Sequence, residues 1–128
     1  MAKLVRKKST IQEPDYYPPT RRIASLALDK KAKNVKAYDV NGLTLIADSF
    51  VMCSATSDPH VKAVYNSIVE GMKEIGVKPR RSEGGYKDGW LILDFGSIIV
   101  HVFKEETRGY YDLDALWGDA PEIALPHA

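Results

Sequence analysis

Residues 49–55, "SFVMCSA", are apolar almost throughout, and the stretch after them, "TSDPHVKAVYNSIVEGMKEIG", is an amphipathic helix with both ends marked. A strand apolar on both sides belongs in the middle of a sheet. Ser57 or Asp58 caps the helix, Pro59 suits its first turn and Gly76 ends it. Its apolar set, Val61, Val64, Tyr65, Ile68, Val69, Met72 and Ile75, recurs at the three-and-four spacing of one buried stripe. Strand, long helix and further strand make a crossover, so part of the sheet has to be parallel. This pair of elements restricts the chain to an α/β fold.

The most legible of the later strands are in "GWLILDFGSIIVHVF", residues 89–103. Gly96-Ser97 reads as a two-residue turn with glycine at the position of positive φ, and a turn that short fixes the register. Trp90 then faces Phe103, Ile92 faces His101 and Asp94 faces Ile99. One face carries Leu91, Leu93, Phe95, Ile98, Val100 and Val102 and is core. The other carries Trp90, Ile92, Asp94, Ile99, His101 and Phe103, which mixes large apolar groups with two ionisable ones. Either the C-terminal segment of the protein covers that face, or a partner does.

Around these landmarks the pattern predicts a first helix over "TRRIASLALDKKAK" with Thr20 as its N-cap, and a short strand over 35–40. An irregular connection opened by Asn41-Gly42 follows, and "KPRRSEGGYKD" supplies a short edge strand. A short helix or turn bearing Tyr110, Tyr111, Leu113, Leu116 and Trp117 precedes Pro121. The expected architecture is one domain: a mixed, mostly five-stranded sheet with flanking helices. Its limits are a flexible basic leader (1–20), the domain (21–122) and a tail (123–128).

With 128 residues, 45% hydrophobic and 27% charged, the chain can bury one sizeable core. The formal net charge of +1 hides an asymmetry. Residues 1–22 hold six basic side chains against two acidic ones, and residues 23–128 hold twelve against fifteen. An acidic body is a poor general nucleic-acid binder, whereas the leader either is simply solvated or adds weak, salt-sensitive attraction to a polyanion. A lone cysteine, Cys53, excludes an internal disulfide scaffold and suits a reducing cytoplasm. No apolar run approaches the roughly 20 residues that span a bilayer, so no membrane role is expected.

Catalytic chemistry finds little support. Gly96-Ser97 with Asp112 and Asp114 resembles the metal-binding pattern of nucleotidyltransferases, but here Gly-Ser joins two strands and the Asp pair falls in a helix-like segment, where such neighbours diverge. A magnesium-dependent nucleotidyltransferase-like enzyme using Asp94, Asp112 and Asp114 is the alternative reading. His60 lies in a helix first turn and His127 in the tail. His101 sits beside Asp94 without a nucleophile or third ligand in reach. Cys53 reads as a small buried hydrophobe, and "SATSDP" as helix capping rather than an anion cradle. No catalytic residue, metal ligand or cofactor motif is assigned. Trp90 with Asp88 and Asp94 around it has instead the composition of an interface anchor.

Three motifs in order carry a family resemblance: Gly-Trp-aliphatic-aliphatic-x-Asp at Gly89–Asp94, His-Val-Phe at His101–Phe103, and Arg-x-Tyr-Tyr-Asp-Leu-x-x-Leu-Trp from Arg108 to Trp117. Together they resemble the bacterial ribosomal silencing factor, or Iojap, family over about 100 of the 128 residues. The resemblance implies a non-catalytic protein with a nucleotidyltransferase-like topology lacking the catalytic motif. It implies attachment to the large ribosomal subunit through large-subunit protein fourteen, a block on small-subunit joining, and repression of translation under nutrient limitation. Homodimers are also implied, and ribosomal RNA becomes the polyanion for the leader. The partner-binding residues that carry over are Trp90, Leu91, Asp94, Asp88, His101, Tyr110, Tyr111 and Trp117. Alternation places Leu91 in the core, and Tyr111 and Trp117 have the spacing of internal packing. Ser49 stands where the family commonly has an aromatic residue, and Ser97 where an acid is frequent.

Overall fold

The computed structural model describes residues 13–111, 115 and 117–125, without the side chains of Tyr110 and Tyr111. The elements are α1 (Tyr17–Asp29), β1 (Lys33–Asp39), β2 (Ser49–Ala55), α2 (Asp58–Lys73), β3 (Arg81–Gly85), β4 (Trp90–Asp94), β5 (Ile98–Lys104) and α3 (Glu105–Tyr111). They form one five-stranded mixed sheet in the order β1-β2-β5-β4-β3. The parallel pair joins β2 to β5, and the other three pairings are antiparallel. α2 leads the crossover out of β2, but β3 and β4 are inserted before the chain returns as β5.

All seven residues of β2 are buried. Val51, Cys53 and Ala55 point to α1 and α2, in one core with Leu91, Leu93, Phe95, Ile98, Val100 and Val102. Phe50 and Met52 point the other way, into a smaller cluster with Tyr38, Val40, Ala47 and Ala120. α2 is held as expected at its start, where Ser57 Oγ accepts from the His60 amide at 3.2 Å and Pro59 sits in the first turn. At its other end the helix stops at Lys73 and the chain reverses at Gly76, with φ of 79°. Ile75 therefore leaves the buried stripe and is 50% exposed.

The first helix starts earlier than its sequence pattern indicates. Tyr17–Thr20 are its first turn rather than leader, and Thr20 lies inside it, fully buried. Pro18 and Pro19 are compatible with this because the first amides of a helix have no intrahelical partner to lose. Tyr16 and Tyr17 both donate their hydroxyls to Asp39, at 2.7 and 2.6 Å, and pin the helix start to the end of β1. Donation to that carboxylate, together with burial, pushes the Tyr17 hydroxyl up to about 12. For Asp39, burial opposes ionisation, but the two hydroxyls and the Asn41 amide outweigh it and hold the carboxyl below its usual range.

At the other end of the chain Ile123, which the sequence pattern leaves in a tail, is buried. Its amide donates to Ala37 O at 2.8 Å, and the Asp39 amide donates to Pro121 O at 2.8 Å, so this segment pairs with the outer edge of β1. Residues 1–12 of the expected leader lie outside the described residues.

Ser49, the departure from the aromatic usual in the resembled family, sits under α1. Thr20 Oγ1 donates to Tyr16 O at 2.5 Å and so accepts from Ser49 Oγ at 2.7 Å. Removing the acceptor strands a buried hydroxyl, whereas removing the donor does not. Thr20→Val should therefore cost about 1–3 kcal/mol in denaturant unfolding, Ser49→Ala about 1 kcal/mol or less, and the double variant less than their sum. Strict additivity would show that the pair is not coupled.

Candidate functional site

Both long helices pack on one sheet face, so the second face depends on what the C-terminal part of the chain lays across it. α3 covers one end. Arg108, 9% exposed, donates through one guanidinium nitrogen to Asn34 O at 2.6 Å and to Ser54 Oγ at 3.0 Å. Farther along, Trp117 meets Phe50 edge-on with ring centroids 5.0 Å apart, beside buried Ala120. Between these covers and the β3 edge no described residue lies over the sheet.

The expected hairpin register is present in full: Trp90 opposes Phe103, Leu91 opposes Val102, Ile92 opposes His101, Leu93 opposes Val100 and Asp94 opposes Ile99. Gly96 takes a φ of 93°, as its place in the turn requires. The face with the two ionisable groups forms the floor of a cavity of about 310 Å³. Trp90, Ile92, Asp94, Ile99 and His101 line it from the hairpin, Arg81 and Glu83 from β3, Phe50 from β2, with Ile46 and Trp117 at the rim.

Its aromatic rings form a continuous ladder. Trp90 stacks on fully buried Phe103 at 5.2 Å, Phe103 stacks on His101 at 6.0 Å, and His101 meets Phe50 edge-on at 5.5 Å. Trp90 Nε1 donates to His101 Nδ1 at 3.2 Å, which fixes the imidazole tautomer with its proton on Nε2. Asp94 Oδ1 accepts from the Gly96 amide at 2.7 Å, and its other oxygen lies 3.5 Å from Arg81 Nε. The two ionisable groups of the hairpin thus have structural work: His101 orients the tryptophan, and Asp94 closes the turn.

The remaining expected site residues divide. Leu91 is buried among the side chains that face the helices and does not reach the groove, because side chains alternate across β4. Asp88 is exposed in the turn before Trp90 and does not line the cavity. Trp117 both packs on Phe50 and lines the groove. Tyr110 and Tyr111 belong to α3, with side chains outside the description, and Asp112, Leu113, Asp114, Leu116 and His127 lie outside the described residues. Phe50, Arg81 and Glu83 were not singled out by sequence, because only the β2–β5 and β3–β4 pairings bring them to the hairpin.

Groups with chemical potential are otherwise engaged. His60 Nδ1 accepts from the Thr56 amide at 2.9 Å and Nε2 donates to Lys30 O at 2.6 Å, tying the start of α2 to the end of α1. Gly96-Ser97 joins β4 to β5, not a strand to a helix. Among the described residues no three His, Cys, Asp or Glu side chains gather as a metal site, and no helix is long and apolar enough to cross a membrane.

This geometry defines a class: a small α/β protein with a preformed apolar groove on one open sheet face, the shape of a docking surface. A family model described as ribosomal silencing factor during starvation matches residues 14–128. The chain is 40% identical over 97 residues to the ribosomal silencing factor RsfS of Halalkalibacterium halodurans, covering 76% of this chain and 83% of that protein. It is 30% identical over 107 residues to the chloroplastic protein Iojap of Zea mays, covering 81% of this chain and 45% of that one. A crystal structure of a Chromobacterium violaceum protein superposes with a TM-score of 0.76 at 32% identity, covering 87% of this chain and 93% of the other. The chain belongs to the ribosomal silencing factor family, a regulatory family associated with the ribosome.

Cys53 provides a check on the core beneath the groove. It is fully buried, and burial pushes its thiol up to about 12, against a small opposing effect of Arg108. Near pH 8 a small disulfide reagent should react with native protein about 1,000-fold or more slowly than with unfolded chain, since the thiolate is the nucleophile. Rapid native labelling would mean that β2 is open to solvent.

Proposed function

We propose that the groove seats large-subunit ribosomal protein fourteen, and that the protein docked there blocks joining of the small subunit and so represses translation when nutrients are scarce. The observation that carries this reading is the open apolar groove floored by Trp90, His101 and Phe50, with buried Phe103 stacked behind Trp90 and His101, in a chain whose family is described by ribosome silencing. Inhibition by occupation requires no bond-making: a rigid body on the face that meets the small subunit leaves no room for it. The site of action is the cytoplasm.

Charge favours such a partner. Residues 23–128 carry fifteen acids against twelve Lys and Arg, and ribosomal proteins are generally basic. Trp90 is the anchor, held in place by His101. Asp94 and Asp88 supply acidic groups at the groove end and the preceding turn, Trp117 forms the far rim, and Tyr110 and Tyr111 extend the contact from α3. Leu91 acts from below by fixing β4 to the helices. The leader, with Lys3, Arg6, Lys7 and Lys8, makes an accessory contact with ribosomal RNA.

Sedimentation with separated subunits tests the seat. The protein should travel with large subunits and deplete joined ribosomes, and Trp90→Ala should lose about 2 kcal/mol or more of binding, roughly thirtyfold. Trp90 also shields Phe103, so Ile92→Ala, which leaves the ladder intact, is the companion variant. Normal binding by both, each shown folded by its melting curve, would rule out the groove.

The leader has its own test. Deleting residues 1–12 spares α1 and should flatten the dependence of log affinity on log salt by up to about four. An identical slope would leave the leader without a role in docking.

A further inference from the structure

Among the described residues four large apolar side chains are at least half exposed, and three of them share one loop: Leu43 at 57%, Leu45 at 105% and Ile46 at 63%. Residues 40–48, which join β1 to β2, contain no Lys or Arg. The loop is built, not loose. The Leu43 and Thr44 amides donate to Val40 O at 2.9 and 3.2 Å, Asn41 Nδ2 donates to Asp48 Oδ1 at 2.8 Å, and the Asp48 amide donates to Ser97 O at 2.7 Å. These bonds hold three apolar side chains at the surface, each more than half exposed to water.

The loop is continuous with the groove. Ile46 lines the 310 Å³ groove and also a cavity of about 410 Å³ formed by residues 41–48 with Gly96 and Ser97. Apolar side chains at the surface therefore continue from Trp90 and Ile92 across Ile46 to Leu45 and Leu43, with the polar groups of Asn41, Thr44, Asp48 and Ser97 set between them.

We propose that the loop tip, Leu43 with Leu45, is an apolar arm that grips the same large-subunit ribosomal protein whose side chains fill the groove; this rests on the docking reading above. A protein is the occupant because the tip bearing Leu43 and Leu45 has no Lys or Arg and the loop ends in Asp48, the nearest arginines, Arg80 and Arg81, lying at its Ile46 side. A second copy of this chain is disfavoured because two net-acidic bodies would face each other, whereas a basic ribosomal protein complements one. The arm enlarges a docking site whose groove alone holds one or two side chains.

The experiment is equilibrium binding to purified large subunits at two salt concentrations, comparing the unaltered protein, the Leu43→Ser/Leu45→Ser double variant and Trp90→Ala, with melting and sedimentation of each free protein. The double variant should melt like the parent and bind at least about tenfold more weakly, by the same factor at both salt concentrations. Parental affinity in the double variant while Trp90→Ala fails would overturn the arm and leave the groove standing. No binding by the unaltered protein would remove the docking reading and the arm together. A deficit that vanishes at high salt would point to an ionic contact with RNA, and loss of self-association with ribosome binding intact would make a second copy the occupant; either result overturns the proposal.

Discussion

Burial of β2 on both faces is the constraint from which the remaining arrangement follows. Its seven residues allow no solvent on either side, and two helices packed on one face can satisfy only half of that demand. The other half falls to the chain after β5. Arg108 ties α3 to Ser54 at one end of the strand, and Trp117 and Ala120 close over Phe50 near the other. That cover is centred on β2, so among the described residues it gives out across β5 and leaves the outward side of β4 half-exposed. Among the described residues, the groove is thus where the cover over that face ends.

An open apolar floor in water has to resist collapse, and the polar groups within it supply that resistance. Trp90 is held on two sides, by stacking on Phe103 and by the bond to His101 Nδ1. Asp94 fixes the turn that sets the hairpin register, and Arg81 reaches it from the edge strand. A partner meeting such a surface finds the tryptophan already ordered, which reduces the conformational entropy lost on association. His101 and Asp94, neighbours in the sequence reading without a nucleophile or third ligand, serve here to preorganise the groove.

Local chemistry explains what could be read in advance. A two-residue turn and strict alternation gave the hairpin register and its two faces, and an apolar strand before a capped helix gave the parallel pair. The start of α1 was missed because Thr20 reads as its N-cap, whereas Pro18 and Pro19 stand in a first turn that tolerates them. Ile75 was placed in the stripe because periodicity does not register that α2 has ended. Phe50, Arg81 and Glu83 reach the groove only through strand pairings distant in sequence, and the apolar run Leu43-Thr44-Leu45-Ile46 was passed over as connection. Its composition was the available signal: loops with three large apolar residues and no charge among them require a reason.

Size links that loop to the groove. A stable protein interface covers about 800 Å² on each partner, and a cavity of about 310 Å³ accepts little more than one large side chain. Trp90 and its neighbours can set where a partner binds, but they cannot supply the whole contact area. The remainder has to come from flanking surface. On the β3 side that flank is charged and exposed, with Arg81 and Glu83 partly satisfying each other at 3.5 Å, so desolvating it returns little. At the end of the groove beside the β4–β5 turn lies the loop with Leu43, Leu45 and Ile46, whose transfer out of water is favourable without any pairing. The direction in which an interface can grow at a net gain is therefore toward the β1–β2 loop, and a partner seated in the groove reaches that loop across Ile46.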